Sequence, residues 1–517
     1  MRKAHPENVM APLELGWAAR LLEDRGHRVT LVDTETGSYT EPDVQQIVRD
    51  ERPAVVFIVG ITTVMPSVMR MGRYVRQVLP GAFIVAAGQH ATARPGDFFH
   101  EDRPFDACLL YEYEETIAEI VDALGTGNVA GVRGVALPGE GGTVLRTAAR
   151  PLREDLDALP FPKHELFMRD EYTVFHPTDV RRRRRWGFLM TSRGCPYPCL
   201  YCSPTLRNSY GRAMRWRSVE NVVGEMEYLA RLGCTVLHFK DDIFTVNRER
   251  TLALCDAIRA RGLQLSWTAQ TRADCVDAEL LRAMRAAGCC TISMGIEAGS
   301  KRILEVLRKK ETVEDAIQAA DAARAAGLHL VNFFLLGNPT ETMDEMLETL
   351  ALAKRLDPDI MQVGFFTPYP GSPYYEETYR ERDDHKPEEF SHYNRVINLS
   401  AVPTPDLLAF QRRFYLEMAL RPRFAARFLR SRMRGLVANW DSEKRFFELS
   451  TKFLLGSIKA RLGPRSTVAA APEPATRSTA TRSTAEAAPG QAGQSTRTRS
   501  TPEAPSGLVE LRSGPER

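Results

Sequence analysis

Residues 186–202 read WGFLMTSRGCPYPCLYC, a short apolar run that passes directly into three closely spaced cysteines. The apolar run predicts a buried strand, and the Gly and Pro residues that follow it predict a loop. Loops at the ends of parallel strands are the places where such folds build their sites. The stretch therefore predicts a parallel α/β fold with a functional site at the cysteines.

The spacing of Cys195, Cys199 and Cys202 is C-x3-C-x2-C. Three thiolates can hold three irons of a [4Fe-4S] cube, whereas a cluster held by protein alone normally takes four cysteines. The remaining iron stays open to a small chelating molecule, and S-adenosylmethionine (SAM) fits this spacing through its amino and carboxylate groups. The triplet therefore favours one-electron chemistry at an iron–sulfur cluster.

Two simpler interpretations of the triplet stay open at this point. Structural zinc usually takes four N or S ligands in paired spacings, but no second Cys or His pair follows at a suitable distance. Alternatively, the three cysteines are only small buried residues, as free cysteines often are. Burial is what we expect for the remaining six, which are Cys108, Cys234, Cys255, Cys275, Cys289 and Cys290.

Composition narrows the class of protein. The 517 residues, 43% of them hydrophobic, allow about two to four domains with sizeable cores. No run of about 18 apolar residues is present and the N-terminus lacks an apolar signal region, so no transmembrane segment is expected. Nine cysteines without a disulfide framework suit a reducing, cytoplasmic location, and a net charge of +3 gives no support for a nucleic-acid partner.

The N-terminal part, residues 1–150, alternates short apolar runs with amphipathic stretches. The predicted strands cover 27–33, 54–60, 82–87 and 107–110, and the predicted helices cover 13–25, 42–51, 66–79 and 114–124. This alternation predicts a Rossmann-like, doubly wound parallel sheet, which binds ligands beyond the carboxyl ends of its strands. Because residues 1–10 lead almost directly into a helix, we expect the usual first strand to be missing.

Residues 151–185 are predicted to be a linker. They contain the arginine run 181–185, which we interpret as a solvated segment, with an anion contact as the alternative. Residues 186–400 then repeat a strand and helix period, with strands predicted at 186–191, 235–240, 265–269, 291–294, 330–336 and 360–366. Six such units are too few for a closed eight-stranded barrel and predict a partial (β/α)6 barrel.

Charged side chains gather where the barrel strands end. These are Asp241, Asp242, Arg272 and Glu297. The carboxyl ends of parallel barrel strands meet on one rim, so we expect these four side chains to contact a ligand. Each of these side chains, taken alone, is equally well interpreted as a charged, solvent-exposed loop residue without a ligand.

The C-terminal part divides in two. Residues 401–462 predict helices at 405–418 and 422–436 that cap the barrel, although the basic stretch 421–434 could instead contact a membrane surface. Residues 463–517 contain no aromatic residue and repeat Arg-Ser-Thr among Ala, Pro and Gly, so this tail is predicted to be disordered.

Taken together, these features resemble radical SAM enzymes that carry an N-terminal cobalamin (B12)-binding domain. The cysteine triplet with Tyr201 before its last cysteine carries most of the resemblance. Further matches are Asp241-Asp-Ile-Phe-Thr245, Gly295-Ile-Glu-Ala-Gly-Ser300, Gly337-Asn-Pro-Thr-Glu-Thr342, Pro368-Tyr-Pro-Gly-Ser372 and, in the first domain, Gly88-Gln-His-Ala-Thr92. Departures are Ala87, Tyr111 and Tyr113, which stand where the family often has glycine.

The resemblance implies a mechanism and a set of site residues. The three cysteines would hold the cluster, and SAM would contact Tyr201, Asp241, Asp242, Arg272 and Glu297. Cobalamin would contact Thr62, Gly88, His90, Thr92 and Glu112. SAM would be cleaved to a 5'-deoxyadenosyl radical, and cobalamin would deliver a methyl group to an unactivated carbon of a small-molecule or peptide substrate. An electron donor such as flavodoxin or ferredoxin would reduce the cluster.

Two other functions remain compatible with these motifs. One is a cobalamin-linked radical cyclase or rearrangement enzyme in which no methyl group is transferred. The other is a non-catalytic cobalamin-binding or sensor protein. The three cysteines favour catalysis, because cobalamin binding alone does not require them.

Overall fold

The computed structural model describes residues 9–99, 104–202, 209–380, 386–391 and 397–433, together with Val437, Asn439, Trp440 and Lys444. The tail predicted to be disordered, residues 463–517, lies outside this part of the chain. Among the helices described, none combines the length and the apolar character that crossing a bilayer requires.

The first domain is built on a five-stranded sheet of order β1-β2-β3-β4-β5. Its helices are α1 Leu13–Glu23, α2 Glu41–Glu51, α3 Met65–Val78, α4 Gln89–Ala93 and α5 Glu114–Leu124, and its strands are β1 Val55–Val59, β2 Phe83–Ala87, β3 Ala107–Leu109, β4 Val135–Pro138 and β5 Val144–Arg146. The pairs β1–β2 and β2–β3 are parallel. Helices α3 and α5 cover opposite faces through separate apolar cores, as a doubly wound sheet requires.

Two features of the first domain differ from the sequence-based prediction. Strands β4 and β5 are antiparallel to their neighbours, and only the short turn at Glu140–Gly142 joins them. A parallel pair would need a crossover of a dozen residues or more. Residues 27–33, predicted as a strand, form none. Within the described chain no strand pairs with them, and an extended segment becomes a strand only when a neighbour takes its backbone hydrogen bonds.

The second domain confirms the predicted partial barrel. Its parallel sheet has six strands in the order β13-β12-β11-β10-β9-β6. The elements in chain order are β6 Trp186–Leu189, β7 Ser192–Arg193, β8 Arg215–Trp216, α6 Val219–Arg231, β9 Val236–Phe239, α7 Arg248–Ala260, β10 Ser266–Thr271, α8 Ala278–Ala286, β11 Cys289–Glu297, α9 Lys301–Val306, α10 Val313–Ala325, β12 His329–Leu336, α11 Met343–Leu356 and β13 Ile360–Phe365. Strands β7 and β8 form a separate antiparallel pair beside the cysteine loop.

The barrel core lies between the strands and their helices. Phe239 and Trp267 are fully buried there and pack edge to face. Helix α10 presents Ala316, Ala320 and Ala323 to this core, and such small side chains let a helix approach the sheet closely. Because this core fixes the strands, the loops at their carboxyl ends stand on a rigid base.

Two helices follow the barrel, α12 Thr404–Ala419 and α13 Pro422–Met433. In α12, Phe414 packs on Phe334 of β12, and Gln411 Nε2 donates to Val363 O of β13 at 2.7 Å. These contacts make α12 part of the barrel wall. The predicted helix 422–436 extends past Met433 into residues that the structure does not describe.

The arginine run 181–185 lies mostly at the surface. Arg183 forms an exposed ion pair with Asp170, and the backbone N–H of Arg184 donates to Asn439 Oδ1 at 2.7 Å. These contacts are those of a solvated connecting segment.

Candidate active site

The cysteine loop is held at its start by a buried carboxylate. Asp241, which follows β9, accepts hydrogen bonds from the backbone and hydroxyl of Thr191 and from the hydroxyl of Ser192, at 2.5 to 3.1 Å. Both Asp241 oxygens are used in this way. Asp241, which the sequence placed among ligand contacts, therefore fixes the chain just before the cysteines.

Gly194 lets the chain turn into the loop. Its φ of +99° lies in the left-handed region, and a Cβ added there would stand 2.3 Å from Ala213 O. Only glycine fits such a position without moving the backbone. The next residue, Cys195, then donates its N–H to Gly211 O at 3.2 Å.

The far end of the loop is attached to the barrel. Leu200 donates its N–H to Leu307 O at 2.9 Å and accepts from the N–H of Tyr374 at 3.1 Å. Cys195 and Cys199 are buried, Cys202 is half-buried, and none of the three forms a disulfide. The three cysteines are thus reduced and are held on a loop whose two ends are anchored.

The donor set of three cysteine thiols fits an iron–sulfur cube whose fourth iron is left open. In the described part of the chain, no three His, Cys, Asp or Glu side chains are placed to hold a metal ion. Zinc gathers its ligands around one point, whereas each thiolate of a cubane cluster binds a different iron and so stands apart from the others. Burial raises the pKa of Cys195 and of Cys199, and coordination to a metal ion deprotonates a thiol.

Tyr201 and Glu297 meet beside the loop. The Tyr201 hydroxyl donates to Glu297 Oε1 at 2.9 Å, and Lys309 Nζ lies 3.5 Å from the same oxygen. The register of β11 against β12 shifts between Gly295 and Glu297, and this irregularity aims the Glu297 side chain at the rim. The sequence predicted Tyr201 and Glu297 as site residues but missed Lys309, because it lies in the charged run 308–311 that reads as surface.

Arg272 lies under the cysteine loop and is almost fully buried. Its guanidinium carbon stands 3.6 Å from the centroid of the Tyr197 ring, and Nη1 lies 3.9 Å from Cys199 Sγ. Asp274 accepts two parallel hydrogen bonds of 2.9 Å from it. Nearby, burial raises the pKa of Glu311 to about 7, although Lys309 and Arg272 oppose this shift.

Asp242 differs from its neighbour Asp241 in lying half-buried at the rim. Burial, and next the charge of Asp241, raise the pKa of Asp242 well above its usual range. Its carboxyl is close enough to influence the pKa of Cys195. Of the two adjacent carboxylates, Asp242 therefore remains the candidate for contact with a ligand, as the sequence predicts.

The carboxyl edge of the first domain carries a connected polar chain. The ring of His90 is buried, with Nδ1 3.1 Å from Thr62 Oγ1 and Nε2 3.0 Å from Asp97 Oδ2. Thr92 Oγ1 accepts from the N–H of Tyr111 at 3.1 Å. Both ring nitrogens of His90 are thus engaged by protein groups.

Gly88 and Ile61 complete this edge. Gly88 has a φ of +101°, and a Cβ there would meet Gly60 O at 2.8 Å, so the turns after β1 and β2 are in close contact. Ile61, next to Gly60, is 50% exposed. An apolar side chain left open beside hydroxyl and imidazole groups fits the apolar face of a corrin ring.

A buried ion network joins the two domains. Arg193 donates to Glu114 Oε1 at 2.6 Å and lies 3.4 Å from Glu112, which Arg215 also contacts at 2.6 Å. The guanidinium carbon of Arg193 lies 4.8 Å from the centroid of the Trp17 ring and 5.1 Å from that of the Tyr210 ring. Glu112, predicted to contact cobalamin, thus pairs with barrel arginines. Sequence reasoning missed Arg193, although it stands directly before Gly194.

Two family models match the chain, one in each of the two domains. The model described as B12 binding domain matches residues 2–121, and the model described as Radical SAM superfamily matches residues 189–353. The uncharacterized methyltransferase PH0819 of Pyrococcus horikoshii is 34% identical over 363 residues, which cover 70% of this chain and 77% of that protein. The chain belongs to the radical SAM superfamily. The resemblance seen in the sequence is confirmed.

Two further proteins are similar to this radical SAM enzyme. The anaerobic magnesium-protoporphyrin IX monomethyl ester cyclase of Cereibacter sphaeroides is 29% identical, over 75% of this chain and 64% of that protein. The radical SAM methyltransferase TsrM of Kitasatospora setae, solved with cobalamin and a [4Fe-4S] cluster, superposes with a TM-score of 0.64. This superposition covers 81% of this chain and 88% of TsrM at 19% identity, and it supports the α/β fold.

Proposed function

We propose that this enzyme uses SAM and cobalamin to methylate an unactivated carbon of a small-molecule or peptide substrate. The observation that carries the proposal is the buried contact of Arg193 with Glu112 and Glu114. It joins the loop of the three cysteines to the loop after β3, at the carboxyl edge of the first sheet. Cofactors bound at these two edges would face each other and act on one substrate between them.

The side chains at both edges suit these tasks. Cys195, Cys199 and Cys202 would bind three irons, while Tyr201 and Glu297 would orient SAM at the fourth. The bound cluster would supply the electron that cleaves SAM to methionine and a 5'-deoxyadenosyl radical, and bound cobalamin would supply the methyl group. The protein's part is to position both cofactors and to exclude water.

The first domain would hold cobalamin through its carboxyl edge. Ile61 offers an apolar contact to the corrin ring, and the turns around Thr62 and Gly88 offer backbone and hydroxyl groups to its side chains. His90 would support this edge through Thr62 and Asp97 instead of binding cobalt, since both of its ring nitrogens are engaged. A reduced flavodoxin or ferredoxin would serve as electron donor in a cytoplasmic setting.

A second candidate function is a radical cyclisation without methyl transfer. The similarity to the magnesium-protoporphyrin cyclase favours it, because that relative is 29% identical over 75% of this chain. The two functions share the radical step and differ in the co-products of SAM. Methyl transfer releases S-adenosylhomocysteine, and cyclisation does not.

The experiment is anaerobic reconstitution with iron, sulfide and cobalamin, followed by reduction in the presence of SAM. We expect 5'-deoxyadenosine from the wild type and none from the Cys195→Ala, Cys199→Ala or Cys202→Ala variants. Cys255→Ala is the matched control, because Cys255 is a buried thiol in helix α7. Equal amounts of 5'-deoxyadenosine from wild type and triplet variants would refute a role of the cysteines in the radical step, and no product from the wild type would favour the non-catalytic alternative.

A further inference from the structure

The hydrogen-bond donors of Arg272 are almost all engaged within the protein. A guanidinium has five N–H donors. Nε and one Nη2 proton go to the two oxygens of Asp274, and the other Nη2 proton goes to Lys309 O at 2.8 Å. Nη1 points to Cys199 Sγ. One N–H remains, whereas a bidentate grip on a carboxylate needs two parallel donors.

The surroundings of Arg272 hold it in this orientation. The ring of Tyr197, which lies in the loop between Cys195 and Cys199, covers one face of the guanidinium at 3.6 Å. Glu311 Oε1 lies 3.2 Å from Nε. The side chain is only 6% exposed, so water does not compete for its donors. Turning Arg272 toward SAM would break both bonds to Asp274 in a buried site.

The charge of Arg272 acts on Cys199 at short range. Nη1 of Arg272 lies 3.9 Å from Cys199 Sγ, and the Arg272 side chain is only 6% exposed, so solvent screens its charge little at this distance. Reduction of an iron–sulfur cluster adds one negative charge, which a nearby buried cation stabilises. Hydrogen bonds to the sulfur ligands are among the factors that set the potential of such clusters.

We infer that Arg272 is a positioning residue of the cluster and not a ligand of SAM: its guanidinium, held by Asp274 and Tyr197, raises the reduction potential of the cluster through Cys199. The affected step is the transfer of one electron from the external donor to the oxidised cluster, with no bond made or broken. The inference rests on the proposed cluster site and assigns Arg272 a role different from the one that its motif implied.

The test is a redox titration of the reconstituted holoenzyme in the absence of SAM, monitored by the EPR signal of the reduced cluster. In Arg272→Gln we expect a lower midpoint potential, with the ratio of reduced to oxidised cluster at a fixed potential falling about tenfold, which is about 59 mV for a one-electron couple. Affinity for SAM, measured by equilibrium dialysis on the oxidised holoenzyme, should remain within about twofold of wild type.

Arg355→Gln is the matched control, because it removes an arginine from an exposed pair with Asp321 on the barrel surface. This substitution should change neither the midpoint potential of the cluster nor the affinity for SAM. If Arg272→Gln does not retain its cluster, the midpoint potential of Arg272→Lys tests the inference instead. Lysine keeps the charge, but its single ammonium group cannot bond to Asp274 and to Lys309 O and also reach Cys199. Its midpoint potential should also lie below that of the wild type.

Three results would overturn the inference. The first is an unchanged midpoint potential with weakened SAM binding, which would make Arg272 a SAM ligand. The second is no change in either quantity, and the third is failure of both Arg272 variants to hold a cluster, which would make the residue purely structural. A wild-type chain that assembles no cluster would refute the proposed function itself, before Arg272 is considered.

Discussion

Arg193 and Glu114 form an ion pair of 2.6 Å across the two domains, with 3% and 4% of their side chains exposed. Arg193 precedes the turn into the cysteine loop, and Glu114 begins helix α5 at the carboxyl edge of the first sheet. Burial has the largest single effect on the pKa of Arg193 and lowers it. The charges of Glu114, Tyr210 and Glu112 act in the opposite direction, and together they raise this pKa above its usual value. The pair therefore ties the site in the barrel to the edge that would hold cobalamin.

Removing the cation from this network should destabilise the protein. In Arg193→Met, two buried carboxylates lose a partner, and breaking a buried ion pair on one side costs about 3–5 kcal/mol. The urea midpoint of unfolding should fall accordingly. Arg355→Met, which opens an exposed pair with Asp321, should cost about 1 kcal/mol or less. Equal midpoints for the two variants would show that the domains do not depend on this contact.

A methyl group at position 194 should prevent the cysteine loop from closing. Gly194→Ala would place its Cβ 2.3 Å from Ala213 O, so the loop must move and the iron and sulfide bound per chain should fall severalfold. Gly262→Ala is the control, because Gly262 also has a positive φ of +63° but no atom within 4 Å of the added Cβ. Its cluster content should equal that of the wild type. A fully loaded Gly194→Ala protein would contradict the steric argument.

Protonation of His329 should make the stability depend on pH. His329, at the start of β12, lies beside Asp179 and Asp359, and these carboxylates raise its pKa to about 9 against the effect of burial. A raised histidine pKa stabilises the folded state fully below the unfolded pKa of about 6.5, and that contribution is lost as the pH rises toward 9. The contribution is about 3 kcal/mol, because raising a pKa by one corresponds to about 1.4 kcal/mol.

The measurement is the free energy of unfolding from pH 6 to 9.5 for wild type and His329→Gln. Other titrating groups affect both proteins alike, so the difference between the two curves reports on His329. We expect this difference to shrink as the pH rises. A difference that stays constant over this range would mean that His329 is not charged in the folded protein.

His90 should not bind cobalt in the cobalamin-loaded protein. Its Nδ1 and Nε2 are both within hydrogen-bond distance of protein oxygens, so neither is open to the metal. The EPR spectrum of cob(II)alamin bound to 15N-labelled protein should match that bound to unlabelled protein. Labelling that changes the nitrogen splitting on the cobalt hyperfine lines, with no such change in His90→Asn, would contradict this expectation.

Much of the fold was predictable because its signals are local. The six barrel strands lie within a few residues of their predicted positions, since each is a short apolar run between a helix and a polar loop. The bounds Glu114–Leu124 of α5 match the prediction. Residues 27–33 show the limit of such reasoning, because they alternate as a strand should but pair with no strand in the part of the chain that the structure describes.

The candidate site was predictable only in part. Cysteine spacing predicts Cys195, Cys199 and Cys202 as cluster ligands, strand ends predict Asp242 and Glu297 as ligand contacts, and these assignments stay predictions. Roles that depend on distant partners were out of reach. Arg193 and Glu114 are 79 residues apart in sequence, and nothing local marks them as a pair. The roles of Asp241 and Arg272 likewise became visible only with their hydrogen-bond partners.

The central claim is that SAM and cobalamin meet in one site, and the transfer of a labelled methyl group tests it without knowledge of the substrate. The reconstituted, reduced holoenzyme is incubated with SAM whose sulfonium methyl group is CD3. The cobalamin is then extracted under dim light, and its mass is determined by mass spectrometry. We predict CD3-labelled methylcobalamin together with S-adenosylhomocysteine. Cobalamin that stays unlabelled while 5'-deoxyadenosine accumulates would contradict methyl transfer and favour the radical cyclase.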